Sequence, residues 1–451
     1  MKPSGLGWGP EVPAHWDVAK ICLLARLESG HTPSRQHPEY WLADECTIPW
    51  FSLADIWQLR PGIQEYVADT AEKISPLGAA NSAARLLPAG TVVLSRTASV
   101  GFAGIMAKAM ATTQDFANWV PGERVSSEYL LYALRAMSDE FERVRYGSTH
   151  NTIYMPDIRR LAIPVPSREE QRRIVAFLRA RLPKVDELIA KKERLAALLA
   201  EKGQALITQL VTKGLDPNAA MRESGSATLG DVPAGWHALP LRRLRDGGLE
   251  YGANEAAESL ESTWPRFIRI TDIDDAGRLR PETFRSLPPD VADPYLLRDG
   301  DILLARSGAT VGKAFIYRSE MGRCCFAGYL IRLRVDRARM LPDYVRYYTQ
   351  AAPYLREVRS ATIQATIQNV SAERYGAFVV PVPPLHEQRV IVQSLDTARQ
   401  KFARAEQLIE DQLARLREYR QALITAAVTG QLDVGDERAV AVHDQQVAEA
   451  T

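Results

Sequence analysis

ALITQLVTKGLD (residues 205–216) returns 217 positions later as ALITAAVTGQLD (residues 422–433), without a gap. Working outward, IPVP with EEQ behind it (163–171) is answered by VPVP with HEQ behind it (380–388). VPAHW (12–16) is answered by VPAGW (232–236), and VVLSRTASVG (92–101) by ILLARSGATVG (302–312) with one residue inserted. Looser echoes join IPWFSLADI (48–56) to RFIRITDI (266–273), through Asp55–Ile56 and Asp272–Ile273, and DFANW (115–119) to CFAGY (325–329). A period above 200 residues is far too long for a solenoid, so the chain is a duplicated domain pair. The division is a first globular domain (1–163), a helical region (164–216), a linker (217–230), a second globular domain (231–380), a second helical region (381–433) and a polar tail (434–451).

The helical regions carry the longest periodic stretches. Ser167 can cap a short helix to about residue 180, and Pro183 suits the first position of the next, where its missing N–H costs nothing. That helix is expected over 183–212, roughly 45 Å at 1.5 Å per residue, and its counterpart over 397–429. Heptad positions read Val185, Leu188, Lys192, Leu195, Leu199, Lys202, Leu206 and Gln209 in the first. In the second they read Phe402, Ala405, Ile409, Gln412, Leu416, Tyr419, Leu423 and Ala426. A long helix with a broken apolar stripe buries best against another like it, so the two are expected to pack as an antiparallel coiled coil, giving a pseudo-twofold. The globular parts alternate short β-type runs (TVVLSR, DILLAR, FIRIT, AFVVPVP) with Gly/Pro/Asn turns, and helices are expected at 127–145 and 342–358. Regular βαβ alternation is absent, so the class is α+β: two mixed globular domains separated by two long helices.

Length and composition agree. At 451 residues the chain has room for two to four folding units, and 46% apolar with 25% charged residues excludes wholesale disorder. No 18-residue apolar run exists and no apolar stretch follows the N-terminal lysine, so neither a membrane span nor a signal peptide is expected. Cys22, Cys46, Cys324 and Cys325 form no C-x-x-C pair, which disfavours a disulfide framework or cysteine zinc site and suits a cytoplasmic protein. The net charge of +1 is unlike that of a strongly basic nucleic-acid binder, but residues 217–380 hold 21 arginines and one lysine. Arginine's rigid fork suits phosphate and guanine edges.

No catalytic motif is complete in the sequence. SGATVGKA (307–314) approaches a phosphate loop, but Ser307 stands where the first glycine belongs and Ala314 where the hydroxyl belongs. The matching RTASVGF (96–102) has no lysine. There is no H-E-x-x-H, G-x-S-x-G or G-x-G-x-x-G, and no cofactor loop or Asn/Asp-Pro-Pro-aromatic motif of an adenine methyltransferase. Asp272, Asp274 and Asp275 read as turn or capping residues rather than cation ligands. The chain reads as non-catalytic and metal-free.

Taken in order, SGHTPSR (29–35) with PEYW (38–41), IPW (48–50), LSRTASVG, LARSGATVGK, QDFANW (114–119), IYMPDI (153–158) and the two Pro-x-Pro–EQ–helix–ALIT–TxxLD blocks resemble the specificity subunit of type I restriction–modification enzymes over nearly the whole chain. The second copy departs from that pattern, with EYGAN (250–254) and FIRI in place of G-H-T-P-S and I-P-W. The resemblance implies two target-recognition domains, each followed by a conserved helical region. It implies a DNA-binding subunit without enzymatic activity that reads an asymmetric bipartite target in double-stranded DNA, one half-site per domain, with the helices as spacer. It also implies recruitment of two methyltransferase subunits and of restriction (translocase/nuclease) subunits, which would hold S-adenosylmethionine, ATP and Mg2+. Loops on a rigid scaffold are where contacts concentrate. Arg96, Thr97 and Ser99, and in the second copy Arg306, Ser307, Thr310 and Lys313, sit in matched glycine-containing loops and suit phosphate. Base readers are sought among unmatched polar residues: His31, Thr32, Ser34, Arg35, His150, Asn151 and Tyr154, then Arg266, Arg269, Gln364 and Gln368. Two alternatives stay open, a restriction enzyme carrying its own nuclease and a scaffold that holds protein rather than DNA.

Overall fold

A computed structural model of the chain describes residues 1–146, 151–256, 258–274, 277–363 and 369–435. His150, Gln364 and Gln368 lie outside the described residues. In space the chain forms two compact units, one of residues 1–194 with 409 onward, the other of residues 195–408. Each sequence copy therefore contributes to both.

Unit 1 is built on a five-stranded sheet in the order Ala25–Ser29, Phe116–Pro121, Val92–Ser95, Ala103–Met106, Tyr66–Val67. One face of its central strands is covered by Ser127–Ala136, and Trp119, Tyr129, Leu130 and Leu134 lie fully buried between them. A smaller sheet pairs Ile48–Phe51 in parallel with Ala111–Thr112. Unit 2 repeats the plan with four strands, Arg245–Tyr251, Leu330–Val335, Ile302–Ala305 and Ala314–Ile316, and a parallel pair, Arg266–Ile268 with Cys324–Phe326. The helices expected over 127–145 and 342–358 each break. The first becomes Ser127–Ala136 and Ser138–Arg143, the second Pro342–Tyr348 and Ala352–Ile363. Pro353, in the first turn of the last of these, has no N–H with which to continue the preceding helix.

Equivalent registers correct one element of the repeat. Phe116 pairs with Ser95, and Leu330 pairs with Ala305. The partner of residues 115–119 is therefore 329–333, and residues 325–329 answer 111–115 instead. The Asp55/Asp272 match holds: Asp55 accepts from the Ser52 N–H at 3.0 Å and Asp272 from the Arg269 N–H at 2.7 Å. Both carboxylates are buried and cap equivalent 3-10 turns.

The long helices are Arg168–Lys213 (46 residues) and Leu385–Thr429 (45 residues). No break occurs before Pro183, contrary to the sequence expectation, and the second helix begins well ahead of residue 397. An interior proline costs about 3 kcal/mol. Leu178, Leu182 and Val185 flank it and are all buried, and each is worth about 1.5–3 kcal/mol, so packing outweighs the lost bond. Pro183 itself is exposed. Pro183→Ala is expected to stabilise the chain by about 1–3 kcal/mol, read as a higher urea midpoint; an unchanged or lower midpoint would show that the backbone has already adapted to the ring.

Within unit 1 the helix segments run antiparallel. Asp186 pairs with Arg420 at 2.7 Å and Glu193 with Arg417 at 2.8 Å. In unit 2, Gly203 faces the Phe402 ring, while Leu210, Val211, Ile391 and Leu395 share one core. The expected seam is half right. Leu188 and Leu195 are 48% and 47% exposed, and the neighbouring Ile189 and Ala196 take the half-buried places.

The repeated words have a mechanical meaning. Trp16 donates its indole N–H to Glu170 at 3.0 Å, and Trp236 donates to Glu387 at 2.9 Å. The neighbouring glutamine is fully buried in both copies. Gln171 binds the Ser126 N–H and the carbonyls of Arg124 and Pro166, while Gln388 binds the Leu341 N–H and the carbonyls of Arg339 and Pro383. Each tryptophan also meets the glycine that ends a long helix: Gly430 (φ +69°) lies on Trp16, and Gly214 (φ +73°) on Trp236. A Cβ at either glycine would press on the indole, and the left-handed φ favours glycine there. Tyr129 donates to the carbonyls of Pro164 and Val428, and Tyr344 to that of Val211. Each unit is thus closed by the end of the helix that starts in the other sequence copy.

Candidate nucleic-acid interface

In unit 1 four segments converge where the Ala25–Ser29 and Val92–Ser95 strands end and Phe116–Pro121 begins. The His31 N–H donates to Thr112 O (3.0 Å), the Arg96 N–H to Asp115 O (2.8 Å), the Ile153 N–H to Arg96 O (2.8 Å) and the Ala98 N–H to Asn151 O (2.8 Å). Gly30 makes the first approach possible, because a Cβ there would collide with the Thr112 carbonyl. Side chains then tie the loops together. Thr32 donates to Gln114 Oε1 at 2.9 Å, Arg96 Nε donates to Gln114 O at 3.0 Å, and Thr97 bonds Asp115. Arg60 donates to Ser99 at 3.3 Å, and the exposed Tyr154 ring lies 5.7 Å from Tyr146. This brings together His31, Thr32, Arg96, Thr97, Ser99, Asn151 and Tyr154. Ser34 and Arg35 turn toward the Trp41 side. Ser34 O accepts from the Trp41 indole at 3.2 Å, and Arg35 stacks 3.7 Å over that ring while pairing with Glu72 at 2.7 Å.

Unit 2 builds the same cluster on the same backbone bonds with different side chains. The Ala253 N–H donates to Phe326 O (2.8 Å), the Arg306 N–H to Tyr329 O (3.1 Å) and the Val370 N–H to Arg306 O (2.8 Å). Gly252 plays the part of Gly30, since a Cβ would strike the Phe326 carbonyl. Arg306 lies 4.6 Å over the Tyr251 ring and donates to Asn369 Oδ1 at 3.2 Å, and Ser307 bridges to Asn369. Arg306 and Ser307 thus sit in the cluster. Thr310 and Lys313 line a cavity of about 600 Å³ with Arg318, Arg346 and Arg399. Arg266 donates to Arg280 O at 2.7 Å. The Arg269 guanidinium is taken up by Asp272, at 3.1 and 2.8 Å, and by Thr283 O at 2.9 Å.

Gln114, Arg60, Tyr251, Tyr329 and Asn369 join these clusters without having been singled out from the sequence. Gln114, Tyr251 and Tyr329 lie within QDFANW, EYGAN and CFAGY. Gln114 is placed by the parallel pairing of Ala111–Thr112 with Trp50–Phe51, and Tyr251 by its antiparallel pairing with Ile331, distant pairings that local pattern does not reveal. The Gly308–Thr310 turn leads into the antiparallel strand Ala314–Ile316, not into a helix N-terminus, so its backbone lacks phosphate-loop geometry. Among the described residues no group of three or more His, Cys, Asp or Glu is placed to hold a metal ion, and no helix is long and apolar enough to cross a membrane.

The family model described as "Type I restriction modification DNA specificity domain" matches residues 13–195 and again 279–414. A type I restriction enzyme specificity subunit of Methanocaldococcus jannaschii is 31% identical over 186 residues, 41% of either chain. The EcoKI specificity subunit of Escherichia coli K12 is 24% identical over 209 residues, 45% of this chain and 44% of that one. These alignments span less than half of the relatives' lengths. A second Methanocaldococcus jannaschii specificity subunit is 21% identical over 86% of this chain and 87% of its own. A solved chain from work on assembly and conformational transition of the type I R-M system shares the fold, with TM-score 0.71, 19% identity and coverage of 93% and 98%. The HsdS subunit of Thermoanaerobacter tengcongensis matches at TM-score 0.50 and 18% identity, over 93% and 98%. With its model matched in both copies, the chain belongs to the type I restriction–modification DNA specificity family.

Proposed function

We propose that this chain is the sequence-reading subunit of a type I restriction–modification complex. It binds double-stranded DNA through the loop clusters around Arg96 and Arg306, one half-site per unit, and the target is asymmetric. The observation carrying this reading is the pair of clusters built on equivalent backbone bonds but lined differently, with His31, Thr32 and Gln114 in one and Tyr251, Tyr329 and Asn369 in the other. A shared backbone sets a common way of approaching the duplex, and unlike side chains read unlike bases. The long helices, each with residues in both units, set the unread gap. The chain supplies no catalytic centre. Two methyltransferase subunits and the restriction subunits hold S-adenosylmethionine, ATP and Mg2+ in the cytoplasm.

Coexpression with a methyltransferase subunit, followed by mapping of methylated adenines, tests this directly. Methylation confined to one bipartite, asymmetric sequence supports it; methylation without sequence preference sinks it. At the contact level, Arg96→Ala or Arg306→Ala is expected to weaken binding of all sequences alike and to reduce the slope of log K against log salt by about 1. An unaltered slope in both variants would remove the two arginines from the phosphate contacts.

A further inference from the structure

Ala98 is the one non-glycine residue with a positive φ, +57°, among the described residues. It stands two residues after Arg96, in the loop that Thr97 ties to Asp115 and that the Ala98 N–H ties to Asn151 O. Its counterpart two residues after Arg306 is Gly308, at φ +74°, the residue type that this conformation favours. A Cβ at Gly308 would meet nothing within 4 Å, so the loop geometry has room for a methyl group but no internal use for one. Ala98 is exposed as well, so its methyl group covers no core. Unit 1 therefore keeps a left-handed alanine, conformationally unfavourable, whose side chain earns nothing inside the fold.

We propose that the Ala98 methyl group is a specificity determinant for the half-site read by unit 1, where it packs against the 5-methyl group of a thymine in the major groove. This rests on the DNA-reading function proposed above. An exposed methyl at the apex of a loop flanked by Arg96, Thr97 and Ser99 has the chemistry that distinguishes thymine from cytosine. The thymine methyl is the one apolar group on a major-groove base edge, and small apolar side chains are its usual partners. The neighbouring guanidinium and hydroxyls bind phosphate and hold the loop at that depth. Gly308 offers no such group, so unit 2 makes no equivalent contact.

The test uses the full chain and its own target, identified by sequencing the DNA it retains from a random library. Each thymine of the unit 1 half-site is then replaced in turn by uracil, which lacks only the methyl group, and binding is compared between wild type and Ala98→Gly. One position is expected to lose about fourfold in wild-type affinity, the value of one buried carbon, and to lose nothing further in A98G. The A98G melting temperature is expected not to fall, because glycine accepts the left-handed φ. The uracil scan of the wild-type chain stands independently of how any variant folds. Wild type indifferent to uracil at every position, or A98G with the wild-type uracil pattern, would overturn the proposal while leaving the DNA-reading function in place. A wild-type chain that enriches no sequence would overturn both.

Discussion

Trp16→Ala is expected to remove about 3–5 kcal/mol from the stability of unit 1, the range for truncating a buried tryptophan, and to lower its melting temperature by on the order of 10 °C. Trp16 is 5% exposed, and its indole does two things at once. Its N–H holds Glu170 at 3.0 Å, and its ring receives Gly430 at the end of the second long helix. Alanine leaves a cavity beside that helix end and removes the donor. Trp16→Phe keeps most of the ring and loses only the hydrogen bond to a charged group, so its cost is expected nearer 1.5–3 kcal/mol. Thermal unfolding of both variants checks the ordering; equal losses would mean that ring packing contributes little.

The second large effect is acid sensitivity at Glu170. Burial raises this carboxyl's pKa, but hydrogen bonds from His15, Ser167 and Trp16 more than offset it and hold it down to about 2 against an ordinary 4.5. Because the folded value is depressed, the contribution is fully present above about pH 4.5 and is lost as pH falls through about 2. The side chain is 20% exposed, so screening is modest, and the contribution is on the order of 3 kcal/mol. Glu170→Gln is expected to lose a similar amount at neutral pH and to flatten the dependence between about pH 4.5 and 2. Urea unfolding across that window is the measurement. A variant whose acid limb matched wild type would show that other carboxylates govern it.

Much of the architecture was legible because duplication writes the same contact twice. VPxxW and EQ recur together since the tryptophan bonds the glutamate, and Asp55 and Asp272 recur because a buried carboxylate caps each turn. What escaped was set by tertiary competition. Pro183 reads as a helix start, yet buried neighbours on either side carry the helix through it. Leu188 and Leu195 satisfy a heptad template, yet the helices meet one residue further along. CFAGY resembles DFANW in composition, while strand register assigns that role to residues 329–333. At the candidate interface, the loops containing Arg96 and Arg306 are legible from their glycines and hydroxyls. Gln114 and Tyr251 needed the pairing of distant strands to reveal where they stand.

The closing of unit 1 by Gly430 bears on how the protein is made. A ribosome makes residues 195–408, all of the second unit, before the segment from 409 onward that the first unit requires. At roughly 5–20 residues per second, the first unit waits for its last piece while the whole of the second is made. The unit begun first is the unit completed last, and a chain cut short before residue 409 would carry one finished unit and one that had never been able to close.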